Sequence, residues 1–549
     1  MKHLKITSAI IATLLSPNLL AATTLIENIQ GYSHNGEQLQ QFKAVQFSDD
    51  KIDKVFFSSD KLPTNSDIKR IDGQGKTLLP GLIDAHGHVL SYGLSLTSAE
   101  LYSTSSEQDA VQQVVEFNKA NPSNGWIKGR GWNQVQWQNK QFPTAKSLDK
   151  YFKDTPVVLD RVDGHALWVN SKTLELAGIN KDTKEVDGGQ IIRDEQGNPT
   201  GVLVDNAMNL VFAKIPALTP QQTKEALSLA MKSLAKVGLT SVHDAGIETA
   251  NIDAFKAMSA NDEMLIRINA MLGAWDPEFS KQLAKGHFNS EDDMLLINSV
   301  KISADGALGS RGAALIEDYS DMPHHKGLLL YSNEELTAVM KQSMQAGFQV
   351  NTHAIGDNAN KIVIDNYEQL IKQTKTKDLR HRVEHAQILQ LSDIPRFHQL
   401  GIIASMQATH ATSDKNMAED RVGSERIKGA YAWRSLLEAK AVIAAGSDFP
   451  VEYPNPFFGL HSSVTRQDQQ NQPENGWYSN EAMTIAEAFK SFTIDAAYAG
   501  HQEKIIGSIE TGKKADFILI DQNIFTIDAK EIWKTKVINT WVNGKKVEF

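Results

Sequence analysis

GLIDAHGHVL, residues 81–90, closes an apolar run on two histidines set one residue apart. In a strand, residues i and i+2 face one side, so His86 and His88 point together at its C-terminal end. Asp84 shares their phase, either as a third site residue or as support for the strand. One histidine at such a place is usually a hydrogen-bonded core side chain. A pair reads as the beginning of a metal site, which then needs partners from far along the chain.

Seven further apolar runs follow, each ending in turn or polar residues: GLTSVHDAG (238–246), LIRINAMLG (265–273), NSVKISADG (298–306), VNTHA (350–354), HRVEHA (381–386), GIIASMQ (401–407) and AVIAAGSD (441–448). Helix-length segments separate them. One is announced by Thr219-Pro220 with Gln222 at the capping-box position, another by Ser332 with Glu335. Eight strands alternating with helices predict an α/β fold, a (β/α)8 TIM-like barrel over residues 81–504. The first gap, about 91–225, is far too long for one helix. It holds the strand-like TPVVLDRVDGHALWVN (155–170) and the turn-rich EVDGGQIIRDEQGNPTG (185–201), and predicts a large insertion roofing the barrel mouth.

Short strands and turns fill residues 23–80 and 505–549. Each set is small alone, and together they predict one composite β-sandwich beside the barrel. Residues 1–22 differ: MKHLK is basic, and ITSAIIATLLSPNLLAA is apolar but short for a membrane span. This is the pattern of a secretory signal peptide cut near Ala21 or Ala22. The chain has no cysteine, so disulfides, thiolate chemistry and a lipid-modified N-terminus are not expected. Export without disulfides points to the periplasm of a Gram-negative bacterium, with no stable membrane anchor. Lys+Arg 56 against Asp+Glu 66 gives a net charge of −10 with no long basic block, which argues against a nucleic-acid partner. The partner expected is a small-molecule substrate, and a homodimer stays open.

Strand ends carry the chemistry. Besides His86 and His88, Lys301 lies between Val300 and Ile302, His353 ends VNTHA, His385 falls in HRVEHA, and Asp448 ends AVIAAGSD. Imidazole and carboxylate suit one or two divalent ions, zinc above all, with an open position for water. A lysine carboxylated by carbon dioxide gains two oxygens able to span two ions, and loses the cost of a buried ammonium. Two ions about 3.5–4 Å apart can share a hydroxide that attacks a polarised carbonyl. Asp448 can orient that hydroxide, take its proton and deliver it to the leaving amine as a proton shuttle.

PGLIDAHGHV, VVLDRVDGHALWVNS, GLTSVHDAG, VKISADGALGSR, NTHAIGD, HRVEHAQ, MQATHATSD, GAYAWRSLL, GSDFPVE and GKKADFILID occur in this order and span nearly everything after the leader. The set resembles the amidohydrolase superfamily, and within it the family 3 branch that includes N-substituted formamide deformylases. The resemblance implies a urease-like composite sandwich around a metal-bearing barrel. By motif, it implies His86, His88 and Asp448 on one ion, His353 and His385 on the other, and Lys301 as the bridge. Mononuclear members leave one or two ions open.

Substrate contacts are less legible. His165 in DGHALW either reaches down over the site or makes a structural hydrogen bond, and His410 in ATHATSD has the same two readings. Arg311, with Asp305 and Gly306 in ADGALGSRGAA, is either a charge clamp or an ordinary helix-start residue. Asp244, beside His243, either touches substrate or fixes a strand end. Trp132 and Trp126 either line an apolar pocket mouth or pack within the lid. Activity is thus expected as non-peptide carbon–nitrogen hydrolysis. A lactonase, esterase or phosphoesterase using the same centre is the alternative, and a solute-binding barrel without chemistry is the competing class.

Overall fold

The computed structural model describes residues 23–122 and 125–549, so the leader read in residues 1–22 lies outside them. Eight parallel strands form the centre: β1 (Leu82–Gly87), β2 (Leu239–Ile247), β3 (Arg267–Gly273), β4 (Leu295–Ser303), β5 (Gln349–Ala354), β6 (Arg382–His385), β7 (Ile403–Gln407) and β8 (Ile443–Gly446). They pair in chain order. Every residue of β1, β3, β5, β6, β7 and β8 is buried, as parallel strands covered on both faces require.

The seam between β8 and β1 closes through residues at the strand ends. The Asp448 N–H donates to the His86 carbonyl at 2.7 Å, and the His88 N–H donates to the Phe449 carbonyl at 2.8 Å. Asp84 clasps the same seam, accepting from Ser447 Oγ at 2.6 Å and from the Ser447 N–H at 3.1 Å. Gly446 permits this approach, since a Cβ there would stand 2.6 Å from Asp84 Oδ1 and from the His86 nitrogen. The metal-site end of the barrel is therefore also its closure.

Both expected capping boxes form, at Thr219 with Gln222 and at Ser332 with Glu335. They start the helices Pro220–Lys236 and Asn333–Gln345, which feed β2 and β5. Between β1 and β2 the insertion builds its own six-stranded mixed sheet, from Ala99–Glu100 to Pro199–Asp205. Trp132, Trp137 and Trp168 pack together at its core. Trp132 is 0 % exposed and its Nε1 donates to the Leu159 carbonyl at 2.8 Å. This corrects its expected place: a large flat side chain with one satisfied donor fills the lid's interior and does not line the cavity. Trp126 packs partly buried against the insertion's other apolar cluster.

The two chain ends meet in one sheet. Thr77–Pro80 pairs parallel with Gln30–His34 and antiparallel with Phe517–Ile520, which pairs antiparallel with Val537–Val542. A four-stranded sheet of Thr23–Glu27, Ala44–Ser48, Lys51–Phe56 and Lys69–Asp72 shares its apolar core through Ile26, Phe47, Leu78, Phe517 and Trp541. The core draws on both ends of the chain, with Ile26, Phe47 and Leu78 from one and Phe517 and Trp541 from the other. A buried pair fastens the sandwich to the barrel floor: Arg267 Nε on β3 meets Asp516 Oδ2 at 2.6 Å. Among the described residues no helix is long and apolar enough to cross a membrane.

Candidate metal centre

The C-terminal ends of five strands converge. His86 and His88 leave β1 toward Asp448, with Asp448 Oδ1 at 3.0 Å from His88 Nε2 and 3.4 Å from His86 Nε2. Asp448 follows β8 by two residues at φ 61°, a left-handed turn that aims its carboxylate across the mouth. On β4, Lys301 is 3 % exposed and its Nζ donates to His86 Nε2 at 3.3 Å. His353 on β5 turns Nε2 toward Asp305 Oδ1 at 3.4 Å, and its ring centre lies 4.5 Å from that of His385.

Strand β6 breaks simple alternation. Arg382 and Glu384 share one phase and point into the barrel. His385, next in sequence, takes φ 73°, and this turn lets adjacent residues serve one site. Glu384 Oε2 accepts from His86 Nδ1 and, at 3.1 Å, from Arg382 Nη2, while Arg382 Nε lies in ion-pair contact with Glu384 Oε1 at 2.7 Å. Gln407 Oε1 on β7 accepts from His385 Nδ1 at 2.7 Å. Each bond places the proton on Nδ1 and turns the Nε2 lone pair to the centre, as ligand imidazoles require.

The electrostatics favour ligand forms at His88, His353, His385 and Asp448. At His86 burial and Lys301 work against the charged ring, but Glu384 and Asp448 outweigh them and raise its pKa. Burial draws His88 down to about 4 and lowers His353 and His385 as well, keeping these rings neutral. Burial also lowers Lys301. For Asp448, burial favours the acid form, but His86 and His88 override it and hold the carboxylate well below its ordinary range. Glu384 is likewise held low, because Arg382 and His86 outweigh its burial.

Two overlapping donor groups result: His86, His88 and Asp448, and then His385, His410 and Asp448, with the ligand atoms of each within 4.8 Å of one another. His410 Nε2 is buried without a hydrogen-bond partner and lies 3.7 Å from Asp448 Oδ2. Two of these ligand atoms, His410 Nε2 and Asp448 Oδ1, are buried without a hydrogen-bond partner, as atoms that fit a cation would be. The residues present therefore suit a divalent ion pair.

His410, read as either a substrate contact or a structural hydrogen bond, lines the cavity and lies against the donor groups, its ring stacked on His385 at 5.9 Å. His165 descends from the insertion, its ring centre 5.3 Å from that of His353. Its Nδ1 donates to Asp205 Oδ1 at 2.6 Å, and although burial works against the charged ring, Asp205 raises its pKa to about 9. Arg311 is a correction: it lies outside the cavity lining and pairs with Asp321 at 3.0 Å, a carboxylate only ten residues along the same loop. Asp305 ties the β4 and β5 loops by accepting from the N–H groups of Ile355 at 3.0 Å and Gly356 at 2.8 Å. Asp244 accepts from the Val89 N–H at 3.2 Å, and Asp84 serves the seam. Glu384, Gln407 and Asp205 escape a reading by strand phase, although a carboxylate directly beside His385 was a signal in plain view. Above the donors lies a cavity of about 350 Å³ whose lining includes His165, His353, His385, His410 and Asp448.

The sequence pattern of the amidohydrolase family matches residues 69–547. Protein LONG AFTER FAR-RED 3 of Arabidopsis thaliana is 33% identical over 86% of this chain and 82% of its own length. An N-substituted formamide deformylase of Arthrobacter pascens is 28% identical over 87% of this chain and 89% of its own. The crystal structure of an uncharacterized metal-dependent hydrolase from Pyrococcus horikoshii matches with a TM-score of 0.74 at 25% identity, covering 92% of this chain and 99% of that one. With the barrel, its closing seam and the gathered histidines in view, the match over nearly the whole described chain is decisive: this protein belongs to the amidohydrolase family.

Proposed function

We propose that the protein hydrolyses a carbon–nitrogen bond other than a peptide bond, in an amide, an N-substituted formamide or an N-acyl compound. One observation carries the reading: His88 and His385, held neutral by burial, converge with Asp448 at the floor of a small-molecule-sized cavity. The similarity to a formamide deformylase supports the bond type. His86, His88 and Asp448 would hold one divalent ion. Lys301, His353 and His385, delivered by the consecutive strands β4, β5 and β6, would hold a second, with Lys301 as its carbamate. The donor set favours zinc.

When bound, such an ion supplies Lewis acidity and lowers the pKa of a nearby water. Asp448 then accepts the proton of the attacking water at Oδ2, the oxygen turned toward His410. The water oxygen bonds to the carbonyl carbon, the carbon–nitrogen bond breaks, and Asp448 returns the proton to the departing nitrogen. Burial beneath the insertion keeps bulk water from competing for that proton.

A substrate panel on zinc-reconstituted protein tests this reading, comparing amides, formamides and N-acyl amines with lactones, carboxylic esters and phosphoesters. Preferential amide or formamide turnover is expected. Turnover of esters alone would move the protein to the alternative class, and bound metal with no turnover at all would favour a binding protein. The location in this reading is the periplasm, supported by Lys2, Lys5 and the apolar run that follows. Protein from that fraction should begin near Thr23, and full-length protein confined to the cytosol would exclude export.

A further inference from the structure

We infer that Asp205 is a positioning residue for His165, and that His165 contacts the substrate at the scissile group, so the insertion takes part in the reaction as well as roofing it. This rests on the carbon–nitrogen hydrolase reading above. Both residues belong to the insertion. His165 lies in the turn before the strand Ala166–Val169, and Asp205 ends the strand Pro199–Asp205 that pairs with it. Two bonds join them: the Asp205 N–H donates to the His165 carbonyl at 3.0 Å, and His165 Nδ1 donates to Asp205 Oδ1 at 2.6 Å. With Nδ1 engaged, Nε2 is the nitrogen left for the cavity. There His165 shares the lining with His353, His385 and Asp448.

The Asp205 side is built at a cost that packing alone does not explain. Its backbone stands at φ 48°, ψ −127°, where glycine is at ease and a side chain is strained. Its second carboxylate oxygen is buried with no hydrogen-bond partner. The β4 loop presses close on that carboxylate: a Cβ at Gly306 would stand 2.5 Å from Asp205 Oδ2, and one at Gly312 2.4 Å. A glycine at 205 would relieve both the strain and the orphaned oxygen. What it could not do is hold His165. Strain and an unsatisfied buried carboxylate oxygen, kept beside a cavity-facing imidazole, are the pattern of a site in which geometry is maintained against stability.

The test uses the full metal-loaded protein and compares Asp205→Gly, His165→Ala and the double variant on whichever amide or formamide the wild type turns over. For Asp205→Gly, the expected result is a Tm no lower than wild type, unchanged metal content, and a kcat reduced by roughly 10²-fold with a much smaller change in KM. The double variant should be no slower than His165→Ala, because Asp205 acts only through His165. A purely structural Asp205 would behave oppositely, with Tm falling and kcat holding. The inference is overturned if Asp205→Gly keeps kcat within about twofold of wild type, or if the two losses multiply independently. Asp205→Asn, which preserves shape, is the second variant: a smaller fall in kcat is expected, and an unchanged kcat also overturns the inference. Wild-type turnover confined to esters would defeat the carbon–nitrogen reading separately, and the same variants on that ester would then judge the pair by the same criteria.

Discussion

A histidine that offers Nε2 to a metal needs its other nitrogen held, and Glu384 does this for His86 while Arg382 holds Glu384. All three side chains are at most 1 % exposed, so the relay works in a low dielectric where each charge matters. Glu384→Gln keeps the shape and removes the charge. Zinc affinity measured against a competing chelator is expected to fall about 10–100-fold, as for other orienting partners of metal ligands. Unchanged affinity would leave Glu384 a structural acid only. Asp448→Asn tests the reacting side of the same centre. It should fold, keep the ion beside His353 and His385, and lose turnover by roughly 10²–10⁴-fold. Near-normal turnover in metal-loaded protein would remove Asp448 from the mechanism.

At the scale of elements, the closing seam and strand β4 make separable contributions. Asp84 is almost fully buried, and its burial draws its pKa up to about 6, yet it accepts from both the N–H and the hydroxyl of Ser447. Asp84→Ala leaves those donors without their partner and loosens β8 from β1. A loss of about 2–3 kcal/mol in chemical denaturation is expected. A loss below about 0.5 kcal/mol, the scale of a surface change, would show that backbone bonds alone close the barrel. Strand β4 brings Lys301 beside β5, in register with Asn351 and one turn of the pleat from His353. Burial lowers the Lys301 pKa, favouring the neutral amine that reacts with carbon dioxide. Lys301→Ala is expected to lower both metal content and turnover, with partial recovery on adding a short carboxylic acid. Normal metal content and rate in the purified variant would reject the carbamate.

The whole molecule is held as one body by its composite sandwich. Arg267 on β3 gives two guanidinium nitrogens to Asp516, at 2.6 and 3.1 Å, and a third contact to the Asp293 carbonyl at 3.1 Å. Asp516 also accepts from the Asn543 N–H at 2.7 Å, so one carboxylate joins barrel, sandwich strand and final hairpin. Asp516→Ala strands a buried guanidinium, an uncompensated charge that costs about 3–5 kcal/mol. A clear fall in Tm is expected, with the zinc affinity of folded protein near normal because the metal centre lies at the opposite end of the barrel. A variant as stable as wild type would mean that apolar packing suffices at this junction.

Strand identity, helix starts and the chemistry-bearing strand ends were legible without coordinates, because period-two alternation, capping boxes and apolar runs are local properties of the chain. His86 and His88 had to face one side once Leu82–Gly87 was a strand. That logic stops where the backbone leaves alternation, as at His385 and Asp448, whose left-handed φ values set their side chains by a turn and not by phase. It stops also where a role depends on a neighbour far along the chain. Trp132 became core and not cavity because Trp137 and Trp168 enclose it. Arg311 went to Asp321, His410 came to the donor groups, and Asp205 found His165. The local sequence determined which segments become strands and which side chains each strand end offers. Only the tertiary structure decided which of those side chains meet, because long-range contact depends on how the whole barrel closes and how the insertion settles over it.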